Sequence, residues 1–230
     1  MKTAILLFPG TNREQDIIKA VTVAGGKRPS VVWHRDTALP EGTDLVVVAG
    51  GYSYGDYLRP GAMAARSPVL NAVRTFAADG GCVLGVCNGF QILTEAGILP
   101  GALVRNRGLQ FICRDVNLVV GTEKSPFTGG YRKGQKIRLP VAHQDGNYTA
   151  DAETLKRLED EDRIAFRYAD ANGVVSDETC LNGSLRSIAG VLSENRRVLG
   201  LMPHPENSIE AGFGGTDGLP LFKSLLETLS

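Results

Sequence analysis

The sequence carries no surplus of charge of either sign: 25 Lys and Arg balance 25 Asp and Glu, for a formal net charge of zero over 230 residues. Such a balance argues against nucleic acid or an anionic membrane surface as partner. Long apolar runs are missing too. The N-terminal run Ile5–Phe8 is too short for a signal-peptide core, and no small-residue cleavage site follows it. Nothing approaches the roughly 20 apolar residues that span a bilayer, so a cytoplasmic protein is expected. The four cysteines, Cys82, Cys87, Cys113 and Cys180, lack CxxC spacing, which speaks against a metal site or a disulfide framework. Three of them, Cys82, Cys113 and Cys180, are expected to be small buried hydrophobes. No Walker-type phosphate loop and no GxGxxG dinucleotide fingerprint occurs, so no cofactor is expected in this chain.

What is there is a regular alternation. Apolar runs at Ala4–Phe8 and Val31–Trp33 read as strands, and those at Asp44–Ala49 and Cys82–Val86 as buried strands, the former continuous enough to be covered on both faces. Between them the spacing predicts helices over Asn12–Ala24, Ala62–Ala78 and Gly89–Ala96. Further strands are predicted at Phe111–Val120, Lys136–Ala142, Ile164–Tyr168, Ile188–Ser193 and Val198–Met202, with a closing helix over Leu219–Leu229. The turn-rich stretch at 125–135 reads as a loop, and the charged run at 158–163 as a solvated face. The pattern predicts a single α/β domain over residues 1–230, with a mostly parallel sheet flanked by helices.

Cys87 stands out by context. It follows a buried strand and precedes a helix in Gly85-Val-Cys87-Asn-Gly89, the pattern of a nucleophile elbow, in which a tight strand-to-helix turn pushes the reactive side chain out of the sheet. A helix N-terminus also favours negative charge on a sulfur placed there. A buried cysteine beside two packing glycines would read the same way, so the elbow needs a base.

Only three histidines are available: His34, His143 and His204. His204 lies between Pro203 and Pro205 after a strand-like run, and Glu206 follows two residues later. A residue before proline is pushed towards extended geometry, where positions i and i+2 share a side. An imidazole and a carboxylate held together in this way suit a Cys–His–Glu triad. His34 reads as a surface histidine. An oxyanion hole needs two donors: the N–H of Asn88, next to the nucleophile, and one from Gly50-Gly51 after the preceding strand.

The segments FPGTN, VVVAGGYSYGDYLRPG, LGVCNGFQIL, PVAHQDGNY and VLGLMPHPEN, in that order, resemble the class I glutamine amidotransferase family, and within it the small glutaminase subunits of purine biosynthesis. The resemblance covers essentially the whole chain. It implies a flavodoxin-like sheet with additional antiparallel strands in the C-terminal half. It further implies Cys87 as nucleophile, His204 as acid and base, Glu206 as orienter, and Gly51 and Asn88 as oxyanion donors. Gln91 would hold glutamine, and His143, Gln144 and Asp145 fall where relatives contact its backbone, although a structural role for His143 fits equally. Partners are implied as well: a large synthetase subunit, using ATP and Mg²⁺ to aminate formylglycinamide ribonucleotide, and a third small subunit. Arg13, where many members carry a small residue or cysteine, and the HQDG segment depart from the family pattern. A different class I amidotransferase, or a cysteine peptidase-like relative of the same fold, remains open on the residues alone.

Overall fold

The computed structural model describes residues 1–212 and 214–230. In chain order the elements are β1 (Thr3–Leu7), α1 (Glu14–Val23), β2 (Ser30–Trp33), β3 (Leu45–Val48), α2 (Val69–Ala78), β4 (Cys82–Val86), α3 (Asn88–Glu95), β5 (Ala102–Val104), β6 (Ile112–Val120), β7 (Lys136–His143), β8 (Asn147–Thr149), α4 (Ala152–Asp160), β9 (Ile164–Ala169), β10 (Ile188–Leu192), β11 (Val198–Leu201) and α5 (Leu219–Leu229). Nine strands form one sheet in the order β2-β1-β3-β4-β11-β10-β9-β6-β7, and β5 pairs with β8 in a separate ribbon. From β2 to β11 the neighbours run parallel. From β11 to β7 they run antiparallel.

Burial follows from this layering. Every residue of β3, β4 and β11 is buried, because helices cover both faces of a parallel sheet and leave no polar side. Helix α2 turns Val69, Leu70, Val73 and Ala77 inward, the one-sided spacing of an amphipathic helix. Register then sets the site. Val48 pairs with Gly85 and Val86 with Leu201, so the chain leaves β3, β4 and β11 at nearly the same level. Their exit loops meet at the carboxyl edge of the sheet, where open α/β folds place ligands.

Several expectations need correction. The helix expected over 62–78 is two pieces, a 3-10 turn at Ala64–Arg66 and then α2, because Ser67 before Pro68 is extended (ψ 143°). Cys113 is exposed rather than buried: β6 meets β9 only from Asn117 onward, so its first residues are flanked by β7 alone. The charged run at 158–163 is not simply a solvated face. Leu158 is buried on α4, and Arg163 is buried with its guanidinium donating to the Leu192 carbonyl and to Glu161. Helix α4 begins at an Asp151 N-cap, which accepts from the Thr154 N–H ahead of the buried Leu155 and Leu158. His34 is buried, not superficial, and its Nδ1 lies 2.7 Å from the Tyr54 hydroxyl. Burial, and next the Arg35 charge, lower its pKa.

Candidate active site

Cys87 occupies the turn between β4 and α3, with φ 52° and ψ −109°, a left-handed geometry that costs energy for any residue with a Cβ. Two contacts hold it there. Its N–H donates to the Leu201 carbonyl of β11 at 2.8 Å, and α3 packs close enough to β3 that a Cβ on Gly89 would stand 1.8 Å from the Val48 carbonyl oxygen. Only glycine permits that approach, so the sharp turn and the helix behind it depend on Gly89. The thiol points to the end of β7, with Sγ 3.7 Å from the Ala142 carbonyl oxygen.

His204 leaves β11 through Met202-Pro203 and anchors its N–H on the Pro140 carbonyl of β7 at 2.8 Å. Its backbone is open (φ −104°, ψ 86°), but the chain then turns at once into a 3-10 helix, Pro205–Asn207. Glu206 is therefore brought beside His204 by a turn, not by the extended i, i+2 geometry expected from the sequence. Glu206 Oε1 and His204 Nδ1 are 2.7 Å apart, with both residues buried. Gly50 lies between the imidazole and the cysteine: a Cβ built there would stand 3.1 Å from His204 Cε1 and 3.5 Å from Cys87 Cβ. His204 Nε2 has no hydrogen-bond partner among the described residues. Burial opposes protonation of the ring, but the Glu206 carboxylate and Cys87 outweigh it, and the His204 pKa is pushed up to about 10.

Gly51 follows β3 with φ +148°, and a Cβ there would stand 2.5 Å from the Gly10 carbonyl oxygen. Neither its N–H nor that of Asn88 donates a hydrogen bond among the described residues, so both remain available to an anion. The Asn88 side chain instead braces the site, accepting from the Ser53 N–H and donating to Gln91 Oε1 and Asp56 Oδ1. Gln91 in turn donates to the Asp145 carbonyl at 2.7 Å.

These groups border a cleft of about 550 Å³ whose wall includes Gly51, Cys87, Gln91, His143, Gln144 and Asp145. A smaller pocket of about 50 Å³ shares Gly51, Cys87 and Ala142 with it and adds Asn12, Arg13 and His204; that is room for about one water-sized molecule. A larger groove, among Arg74, Arg157 and Glu194, contains none of the candidate residues. His143 is buried and held neutral, with its pKa lowered to about 4 by burial and then by His204.

One residue on the cleft, Asp56, and one behind its wall, Asn106, are not assigned by the sequence. Asp56 faces Asp145, and burial, followed by that neighbouring carboxylate, raises its pKa to about 6. No cation pairs with Asp56 among the described residues, whereas Arg105 lies 3.4 Å from Asp145. Asn106, wholly buried, holds His143 from behind. The SYGDYLR loop after Gly50-Gly51 offered a signal for Asp56. A lone loop asparagine offers none.

Residues 1–213 match the CobB/CobQ-like glutamine amidotransferase domain family. The phosphoribosylformylglycinamidine synthase subunit PurQ of Rhodospirillum rubrum is 64% identical over 230 residues, covering all of both chains. The protein of the same name from Rhodopseudomonas palustris is 60% identical, covering 100% of this chain and 99% of its own. Among solved structures, a chain of PurLQS from Thermotoga maritima superposes with a TM-score of 0.88 at 39% identity, covering 100% of this chain and 99% of that one. The chain belongs to the glutamine amidotransferase family and, within it, to the PurQ subunits of phosphoribosylformylglycinamidine synthase.

Proposed function

We propose that Cys87, His204 and Glu206 hydrolyse glutamine to glutamate and ammonia, and that the chain, as one catalytic domain, hands the ammonia to a synthetase partner. The observation that carries this reading is the meeting of an imidazole, backed by a buried carboxylate, with a cysteine on a strand-to-helix elbow. Cys87 sulfur adds to the carboxamide carbon, and the oxygen takes up negative charge between the N–H groups of Gly51 and Asn88. His204, already protonated, gives its proton to the departing nitrogen; ammonia leaves and a glutamyl thioester remains. Acylation removes the negative charge on sulfur that helps to hold the His204 proton. The ring can then accept a proton from water, whose oxygen attacks the thioester, releasing glutamate and returning the ionised sulfur beside a protonated ring.

The large cleft suits the substrate. Gln91 and the segment His143, Gln144 and Asp145 form its wall, and the acidic pair Asp56 and Asp145 faces where an α-ammonium would be welcome. The ammonia serves a large synthetase subunit that uses ATP and Mg²⁺ to convert formylglycinamide ribonucleotide into its amidine, with a third small subunit in the complex. The names of the relatives support this assignment. No described helix is long and apolar enough to cross a membrane, and four free cysteines suit a reducing cytoplasm.

The test is covalent labelling with a glutamine-analogue chloroketone, read by mass spectrometry with and without the synthetase partner. Modification confined to Cys87, blocked by glutamine and accompanied by loss of ammonia release, is expected. An unmodified Cys87 in an active complex would remove the assignment. Turnover of the isolated chain is expected to be low and to rise on adding the partner.

A further inference from the structure

His143, Gln144 and Asp145 form one wall of the cleft, and they stand on a turn whose main chain is tied to the protein by buried asparagines. Asn106 is wholly buried. Its Nδ2 donates to the carbonyls of His143 at 3.0 Å and Gln110 at 2.9 Å. Its Oδ1 accepts from the Gly146 N–H at 3.0 Å and lies 3.1 Å from His143 Nδ1. Its own N–H donates to the Gln144 carbonyl at 2.9 Å. On the far side, Asn182 Nδ2 and the Ser184 hydroxyl donate to the Gly146 carbonyl.

The pattern has a chemical consequence. Two carbonyls occupy the Asn106 amino group, so the orientation of the amide is settled and Oδ1 is the atom that faces His143. Across from an acceptor, His143 Nδ1 must carry the hydrogen. Nε2 is left with a lone pair and no partner, and the ring is neutral beside His204.

We propose that Asn106 is a positioning residue for the glutamine cleft, its single side chain fixing both the His143 tautomer and the His143–Gly146 turn that forms the cleft wall. This rests on reading the cleft as the glutamine site. Asn106 acts through the turn and does not touch the reacting atoms. Its link to Gln110 joins the turn to the segment carrying Phe111, which also lines the cleft. Two parts of the cleft lining therefore share one anchor.

The kinetic test uses the full chain with its synthetase partner. Asn106→Ala should raise KM for glutamine about tenfold while kcat changes less than about threefold, the split expected when binding groups shift and the triad stays in place. Asn182→Ala is the control, since it frees the Gly146 carbonyl but leaves the His143 ring bonded to Asn106. It should lower the melting temperature with a smaller change in KM. A purely structural role for Asn106 would give both variants the same loss of stability and an unchanged KM, and that result overturns the proposal.

A second measurement needs no substitution. In ¹⁵N spectra of the wild-type chain, His143 should show a single neutral tautomer protonated at Nδ1. A ring protonated at Nε2 overturns the assignment whether or not any variant folds. If the wild-type complex hydrolyses no glutamine, the proposed function falls, while the tautomer measurement still judges the hold of Asn106 on His143.

Discussion

His204 Nδ1 and Glu206 Oε1 lie 2.7 Å apart across a single proline, in a turn almost closed to solvent. A buried carboxylate in this position fixes the hydrogen on Nδ1 and leaves Nε2 for chemistry, besides stabilising the charged ring. Glu206→Gln keeps the shape and removes the charge. Glutamine turnover is expected to fall about a hundredfold or more with KM little changed. Steady-state kinetics on the complex would show it. Turnover within a few-fold of wild type would mean that Glu206 does not orient His204.

The same pair sets a pH dependence of stability. The folded-state pKa of His204, at about 10, lies above its unfolded value of 6.5. Between these values the folded chain binds more protons than the unfolded one, so stability must fall as pH rises. The contribution is complete below about pH 6.5 and lost on passing about pH 10. Glu206→Gln should flatten that part of the profile, measured as melting temperature against pH. An unchanged slope in the variant would show that His204 does not hold its proton through Glu206.

A third expectation concerns backbone strain. Cys87 sits at φ 52° with ψ −109°, a conformation that glycine tolerates far better than residues bearing a Cβ. Cys87→Gly and Cys87→Ala should both be inactive, yet the glycine variant should be the more stable by about 1–3 kcal/mol, after allowance for its looser unfolded chain. Denaturant unfolding of the two variants would compare them. Equal stability would show that the elbow is not strained.

Much of this architecture can be read from the chain because its signals are local. LVVV in β3 and CVLGV in β4 announce strands covered on both faces, and the glycines around Cys87 announce a turn. Met-Pro-His-Pro-Glu places an imidazole beside a carboxylate, although the second proline does so by opening a 3-10 turn rather than by extension. What escapes is whatever depends on distant neighbours. Cys113 is exposed because β9 stops short of it, a matter of register between strands far apart in sequence. His34 is buried because Tyr54 reaches back to it from another loop. Asn106 finds partners 37 and 40 residues away, and no pattern around LVRNRG anticipates them. The candidate triad follows strand ends and is legible; of the cleft wall, Gln91, His143, Gln144 and Asp145 come with the family resemblance, whereas Asp56 and Asn106, set by contacts between distant loops, do not.

Asp56 offers a test of that wall. Its carboxylate is half-buried, faces Asp145 and has no cation among the described residues, and its backbone is left-handed at φ 55°. Burial and then Asp145 raise its pKa from 3.8 to about 6. The sign is opposite to that of a salt-bridged aspartate. A raised folded-state pKa means the folded chain binds the extra proton between about pH 3.8 and 6, so the charged group destabilises the fold above about pH 6 and the penalty disappears on acidification to about pH 4. Asp56→Asn removes the repulsion and can still accept a hydrogen bond from Asn88. The variant should melt higher than wild type at pH 8, with the gain vanishing near pH 4. Its KM for glutamine should rise about tenfold through loss of an ammonium partner. A carboxylate left unpaired in the free protein and satisfied only by ligand trades stability for binding. Melting curves at both pH values, together with kinetics on the complex, separate the two effects. A variant that is no more stable at pH 8 and binds glutamine normally would show that Asp56 faces solvent rather than substrate.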